Sequence, residues 1–308
     1  MHDIFTDCAN NVLDCVGLRV GIIAKGGKAD DNMDDYPVVD VHTHLSDAEF
    51  DKDIDDVITK AKQVGVAAVL AVTESVSDFS RVLDLAERYP DFVLPCLGLH
   101  PVQPDEHSAD PKAQRSVSLK DLEEAEAIIE QHHEKLAAIG EIGLDFTPRV
   151  CKTSEDRDVQ KEVFARQVKM AQRFDLPVNV HSRSAGIHAI NLLKELGASK
   201  VLLHAFDGKA ASAQVGVDAG FFFSVPASIC RSPQKEKLVA KVPISHLMLE
   251  TDSPALSPTK MERNVPSNIA ISWEYVAKIK KLTVPTVKEM TTENAIRLFP
   301  KISKFVHR

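Results

Sequence analysis

The sequence is short of positive charge: 37 Lys and Arg stand against 45 Asp and Glu in 308 residues, a formal net charge of −8. That excludes a protein that grips nucleic acid through its overall field, and leaves an anionic substrate to be met by local positive charge, most cheaply by metal ions. Cysteines are few and unpaired in pattern. Cys8, Cys15, Cys96, Cys151 and Cys230 are scattered, with no C-x-x-C or zinc-finger spacing, so free thiols in a reducing compartment are expected, which means an intracellular protein, cytoplasmic or nuclear. No apolar run approaches the roughly 18 residues of a membrane span. Neither a membrane nor an obligate protein partner is therefore expected. A Gly-x-Gly-x-x-Gly turn after the first apolar run is also missing, which excludes a dinucleotide-binding open sheet.

The first 35 residues lack a clear class. Val12 to Ala24 is moderately apolar but interrupted by Asp14, Gly17, Arg19 and Gly21, and acids lie on both sides. A secretory signal needs a basic start and a clean apolar core, and a mitochondrial presequence avoids acids. With the Gly/Asp-rich stretch from Lys25 to Asp35, residues 1–35 read as a flexible N-terminal extension of unassigned role.

What remains is an ordinary globular composition, 44% hydrophobic and 27% charged. From Tyr36 onward, short β-branched runs alternate with longer amphipathic segments. Strands are expected at Val38–His42, Val66–Val72, Phe92–Leu97, Leu136–Ile139, Pro177–Val180, Val201–Leu203, Phe221–Val225 and Leu247–Leu249. Helices are expected at Phe50–Val64, Val76–Tyr89, Leu119–His133, Asp158–Phe174, Gly186–Leu196, Ala210–Ala219, Pro233–Lys241, Asn268–Lys280 and Thr286–Phe299. Non-alternating apolar strands separated by helices imply parallel pairing, and eight such units in this length predict an α/β fold, a (β/α)8 TIM barrel. Residues 36–308 are expected to form that one domain.

The strands end on chemistry. The first runs Val38-Val39-Asp40-Val41-His42-Thr43-His44, and two imidazoles spaced i, i+2 on an extended chain point to one side and can share one metal. Read alone, the pair is equally well a turn. In a barrel, however, all strand carboxyl ends meet on one face. His42 and His44 from the first strand, His100 from the third, Glu141 from the fourth, His181 from the fifth, His204 from the sixth and Asp252 from the eighth therefore fall in one pocket.

Imidazole and carboxylate without thiolate suit Zn, Mn, Mg or Fe as divalent ions. Six ligands exceed the about three of a single open catalytic zinc site, so two ions are expected. His42, His44 and Asp252 would hold the first, His181 and His204 the second, and Glu141 would bridge them. Two cations clamp the attacking and leaving oxygens of an in-line displacement at phosphorus and activate a water, whose proton Asp252 is placed to take. Alternatives stay open at several positions. Asp252-Ser-Pro could cap a turn, and Glu141 could be a solvated acid in a Gly-rich turn. His100 could contact a substrate phosphate or orient another group. Arg183, two residues past His181, could hold a phosphate bidentately or pair with Asp145. Arg149 and Lys209 lie in loops of the same face and could add positive charge. Asp145 is expected to support a ligand from behind rather than bind metal.

Six ordered motifs carry a resemblance. They are Val-Asp-Val-His42-Thr-His44, Gly98-Leu-His100-Pro101, Gly140-Glu141-Ile-Gly-Leu-Asp145, Asn179-Val-His181-Ser-Arg183, His204-Ala-Phe and Glu250-Thr-Asp252-Ser-Pro. The chain from about Val38 to Phe299 resembles the TatD family of metal-dependent deoxyribonucleases in the amidohydrolase superfamily. The stretches from Gly143 to Arg149 and from Leu94 to Gly98 resemble its animal TatD-domain-containing-3 subgroup. The resemblance implies a metal-dependent hydrolase barrel with DNA as substrate, 3′-end exonuclease action and abasic-site cleavage, activities of the kind DNA repair uses. The family's ligand pattern falls on His42, His44, Glu141, His181, His204 and Asp252. The carbamylated lysine of many amidohydrolases has no candidate where Glu141 stands. The 35 residues before the first strand depart from the family. Two other readings compete: an amidohydrolase-type enzyme for a small lactone, amide or cyclic nitrogen substrate, and a non-catalytic DNA-end binding protein.

Overall fold

The computed structural model of the protein describes residues 36–110 and 112–306; the N-terminal extension, with Cys8 and Cys15, lies outside the described residues. The described residues open with β1 (Val38–Thr43), α1 (Ile54–Gln63), β2 (Val66–Ala71), α2 (Val76–Arg88) and β3 (Val93–Leu97). A two-stranded antiparallel hairpin, β4 (Val102–Pro104) and β5 (Gln114–Ser116), precedes α3 (Leu119–His132), β6 (Ala138–Gly143), α4 (Ser154–Arg173) and β7 (Val178–His181). Then come α5 (Gly186–Glu195), β8 (Val201–Leu203), α6 (Ala210–Asp218), β9 (Phe222–Val225), α7 (Pro233–Lys241) and β10 (Leu247–Leu249). The helices α8 (Ile269–Lys280), α9 (Val284–Leu298) and the short α10 (Ser303–Val306) complete the fold.

Eight strands pair in parallel in the order β1-β2-β3-β6-β7-β8-β9-β10, the α/β barrel that the alternation predicts. Its seam lies between β1 and the segment leaving β10, and is held by backbone bonds from Asp252 N to His42 O (3.0 Å) and from His44 N to Ser253 O (2.7 Å). The buried Asp40 carboxylate crosses the same seam, accepting from Thr251 N at 3.0 Å and Thr251 Oγ1 at 2.5 Å. The seam thus joins the two strand ends that bear His42 and Asp252.

Two apolar layers form. Outward-facing strand residues pack on helix stripes such as Ile54, Val57, Ile58 and Ala61 of α1, whose i, i+3, i+4, i+7 spacing puts them on one buried face. Inside the barrel, Val39, Leu70, Cys96, Leu202 and Met248 cluster with Leu298, Phe299, Ile302 and Phe305. Because Val39, Ala68, Leu94 and Ala138 lie at the strand starts, this C-terminal segment closes the barrel end opposite the strand carboxyl ends.

Several features differ from the sequence expectation. The fourth barrel strand runs on through Gly140, Glu141 and Ile142 instead of stopping at Ile139. These glycines are small because strands crowd there, not because the chain turns. A Cβ on Gly98 would meet Gly140 C at 2.7 Å, and one on Gly140 would meet the Asn179 Cβ at 2.6 Å. Helix α4 begins at Ser154, four residues before the expected Asp158, because Thr153 and Asp156 form a capping box, with Asp156 N donating to Thr153 Oγ1 at 3.0 Å and Thr153 N to Asp156 Oδ2 at 2.8 Å. The loop after His100 contains the β4–β5 hairpin, and helical turns continue past Phe299 from Pro300 to Val306.

Candidate metal centre

His42 is next to last in β1 and His44 lies just past it, Glu141 lies in β6, His181 ends β7, and His100, His204 and Asp252 stand just past β3, β8 and β10. The barrel brings all seven together. One oxygen of Glu141, Oε2, faces the first-strand pair, 3.5 Å from His42 Nε2 and 3.4 Å from His44 Nε2. The other, Oε1, faces His204 Nε2 at 2.7 Å, His181 Nδ1 at 2.8 Å and His100 Nε2 at 3.5 Å. Asp252 Oδ1 lies 3.3 Å from His44 Nε2 and 3.5 Å from His42 Nε2. The His42 and His204 rings stack with centroids 3.7 Å apart.

Residues behind the cluster aim it. Asn179, inward on β7, donates from Nδ2 to Val41 O at 2.9 Å, which turns its Oδ1 to His42 Nδ1, also at 2.9 Å. An oxygen acceptor there assigns the proton to Nδ1 and leaves Nε2 to face Glu141 and Asp252. Glu250 is fully buried, accepting from Ala205 N (2.8 Å) and Ser224 Oγ (2.7 Å), with its Oε2 3.8 Å from His204 Nδ1. Asp145 Oδ2 stands 3.5 Å from the far nitrogen of His181, while its Oδ1 accepts from Thr147 N at 2.8 Å.

The electrostatics are those of a buried cluster balancing itself with protons. Burial alone would raise the Glu141 carboxyl, but the imidazoles of His204, His100 and His42 and the His181 hydrogen bond hold it well below the usual carboxylate range. Burial opposes charge on His44, yet its hydrogen bond with Asp252 and the carboxylates of Glu74 and Glu141 push it up to about 10. His181 goes up to about 9, against burial, through Asp145 and Glu141. Burial, with the charge of His42, pushes His204 down to about 4. Asp145 is lowered to about 2, against burial, by His181 and Thr147.

The donor set fits divalent cations. Its atoms are imidazole nitrogens and carboxylate oxygens only, gathered into triads such as His42–His44–Asp252 and His42–Glu141–His204 whose ligand atoms lie within 4.8 Å of one another. His42 and His44 present their Nε2 atoms to each other at 3.3 Å, a contact between two lone-pair atoms that a shared proton or a cation must mediate. Among the described residues His204 Nδ1 and His181 Nε2 are buried without a hydrogen-bond partner, facing Glu250 Oε2 at 3.8 Å and Asp145 Oδ2 at 3.5 Å.

Two lobes of a cleft open above the cluster. One, of about 260 Å³, is lined by Glu74, His100, Gln114 and Arg149; the other, of about 340 Å³, by Ser182, Ala205, Asp207, Lys235 and Leu256. Arg183, His181, His204 and Asp252 line both. Arg183 is not on a strand face, since β7 ends at His181 and Ser184 turns the chain at a φ of 54°. It stands exposed on the rim, and the ion pair with Asp145 left open by the sequence is not formed among the described residues. Arg149 donates to Gln114 Oε1 at 2.7 Å. Lys209 caps the start of α6, exposed, and lines neither lobe.

Glu74, Lys235, Asn179 and Glu250 hold places at this site that the sequence reading did not assign. Asn179 and Glu250 had a signal, standing two residues before His181 and Asp252 at the carboxyl ends of β7 and β10.

Residues 39–300 match the model of the TatD related DNase family. The chain belongs to that family. It is a hydrolase of ester bonds, and the matched stretch takes in every residue of the cluster. It is 54% identical over 271 residues to the human "Deoxyribonuclease TATDN3", covering 88% of this chain and 97% of that protein. It is 32% identical over 266 residues to an uncharacterized metal-dependent hydrolase of Bacillus subtilis, YabD, covering 84% and 98%. The crystal structure of the Escherichia coli TatD homolog YjjV superposes with a TM-score of 0.73 at 27% identity, covering 85% of this chain and 98% of that one. Among the described residues of this TatD family member, no helix is long and apolar enough to cross a membrane.

Proposed function

We propose that the chain is a deoxyribonuclease that hydrolyses DNA phosphodiester bonds, at 3′ ends, at abasic sites or both, with two divalent cations of the Zn, Mn, Mg or Fe type. The observation that carries this reading is the split of Glu141, one oxygen on the His42/His44 side and the other on the His181/His204 side. In it, His42, His44 and Asp252 would hold one cation, His181 and His204 the other, and Glu141 would serve both. Two cations so held supply the charge that polarises a phosphoryl oxygen and acidifies a water.

The chain's own groups do the rest. Asp252 takes the proton of the attacking water, because its side chain is 12% exposed and lines both lobes, while Glu141 is 3% exposed and lines only the smaller one. Asp145 holds His181 in place, and Asn179 does the same for His42. His100, Arg149 and Arg183 meet the phosphates at the lobe walls. Guanidinium groups at this rim favour a phosphodiester over a neutral lactone or cyclic amide. The names of the relatives point the same way: deoxyribonuclease for the human protein, metal-dependent hydrolase for the bacterial one.

The test is an assay of the purified chain, supplemented with Mn, Mg or Zn, on end-labelled DNA carrying one abasic site. Cleavage is expected from wild type and none from Glu141→Ala of unchanged circular dichroism. Full-rate cleavage by a metal-stripped chain, or no cleavage with any of the three metals, would overturn the reading.

A further inference from the structure

The larger lobe carries a lysine that the two-cation site does not use. Lys235 lies in the first turn of α7, where Ser232 caps the helix by accepting from Lys235 N at 3.3 Å. A cation there sits against the positive end of the helix dipole, an unfavourable place to keep one. Its side chain is half-buried, and burial lowers its pKa, offset in part by the nearby carboxyl groups of Glu250, Asp207 and Asp252. Yet among the described residues the ammonium makes one hydrogen bond, to Ala205 O at 2.8 Å, and no ion pair within 4.0 Å. That leaves two of its three N–H donors for something else.

The bond it does make points it. Ala205 follows His204, takes a φ of 40°, and is fixed from the other side by Glu250 through its N–H. Lys235 is thereby tied to the strand end that bears His204, on the wall of a cavity of about 340 Å³, a volume within the ligand-sized range of about 300–1,000 Å³. Arg183 lines the same cavity, and among the described residues its guanidinium makes no hydrogen bond or ion pair of its own. In a chain of net charge −8, an ammonium with spare donors and an unpaired guanidinium share one pocket beside the cluster.

We propose that Lys235, together with Arg183, forms an anchoring subsite for a backbone phosphate of the DNA strand next to the reacting one. The subsite makes a strand, and not a single phosphodiester, the preferred substrate. The inference rests on the nuclease reading and deepens it, since it says where the strand runs: from the cluster into the lobe walled by α7. Lys235 touches the substrate without touching the reacting atoms, and so acts in binding and positioning.

The experiment compares wild type with Lys235→Gln and Lys235→Arg as full chains with their metals. Single-stranded oligonucleotide and bis(p-nitrophenyl) phosphate, which has one phosphate and cannot span both sites, serve as substrates. For Lys235→Gln the ratio of kcat/KM on the oligonucleotide to that on the small diester should fall about tenfold, carried by KM. Lys235→Arg should restore it, metal content should stay at the wild-type level, and the slope of log KM against log salt should shrink by about 0.7. Equal losses on the two substrates, or an unchanged salt slope, would overturn the proposal. Anisotropy binding of a phosphorothioate oligonucleotide gives a second readout free of turnover: weaker binding by Lys235→Gln supports the subsite, and equal binding refutes it. Failure of the nuclease reading would instead show in wild type, as intact DNA.

Discussion

Protons do in the metal-free site what cations would do in the loaded one. His44, pushed up to about 10, His181, pushed up to about 9, and Glu250, raised by burial to about 8, all hold protons in the folded chain at pH values where the unfolded chain has released them. The folded state then binds more protons than the unfolded one, so stability falls as pH rises, by up to about 1.4 kcal/mol per pH unit for each group in its window. The urea midpoint of the chain in EDTA should therefore drop steadily from pH 7 to pH 10. A midpoint that holds or climbs would show that these groups are not protonated in the fold. The candidate ligands were legible in the sequence because each of His42, Glu141, His181, His204 and Asp252 lies at the end of an apolar run, where barrel geometry gathers them whatever the loops do. Lys235 was not legible, since its meaning depends on Ala205 from another element and on a cap formed by Ser232. Glu74 follows β2, whose end carries no histidine to draw attention to it.

At the scale of elements, the spacing of β3, β6 and β7 decides where Glu141 sits. Gly98→Ala would drive a Cβ into the Gly140 backbone at 2.7 Å, and backbone cannot swing aside as a side chain does. That variant is expected to lose roughly 1–3 kcal/mol of stability and most of its activity, the two measured together by urea unfolding and DNA cleavage; full activity would mean that the strand spacing is not critical. At the opposite barrel end, Phe299 is fully buried among strand-start residues, and Phe299→Ala should destabilise by roughly 3–5 kcal/mol while leaving the metal content of the folded fraction unchanged. Equal urea midpoints for this variant and wild type would remove the plug from the account. Strands and most helices could be read from periodicity, because a buried parallel strand and an amphipathic helix each repeat a pattern. The start of α4 was missed where a capping box, not apolar spacing, sets the boundary. The β4–β5 hairpin and the turns after Pro300 were missed because runs of three or four residues are too short to show a period.

For the whole molecule, the barrel converts residues more than two hundred positions apart into one centre. His42 and Asp252 are joined across the seam by the same backbone bond that closes the sheet, so folding and site assembly are one event. In this acidic chain three basic side chains, Arg149, Arg183 and Lys235, line the cleft, where with the cations they would face a polyanion together. The central claim is that Glu141 joins two cation sites, and elemental analysis of the purified chain beside His44→Ala and Glu141→Ala tests it most directly. Two divalent ions per chain are predicted for wild type, loss confined to one site for His44→Ala, and loss from both for Glu141→Ala. One ion in wild type, or the same residual metal in the two variants, would contradict it.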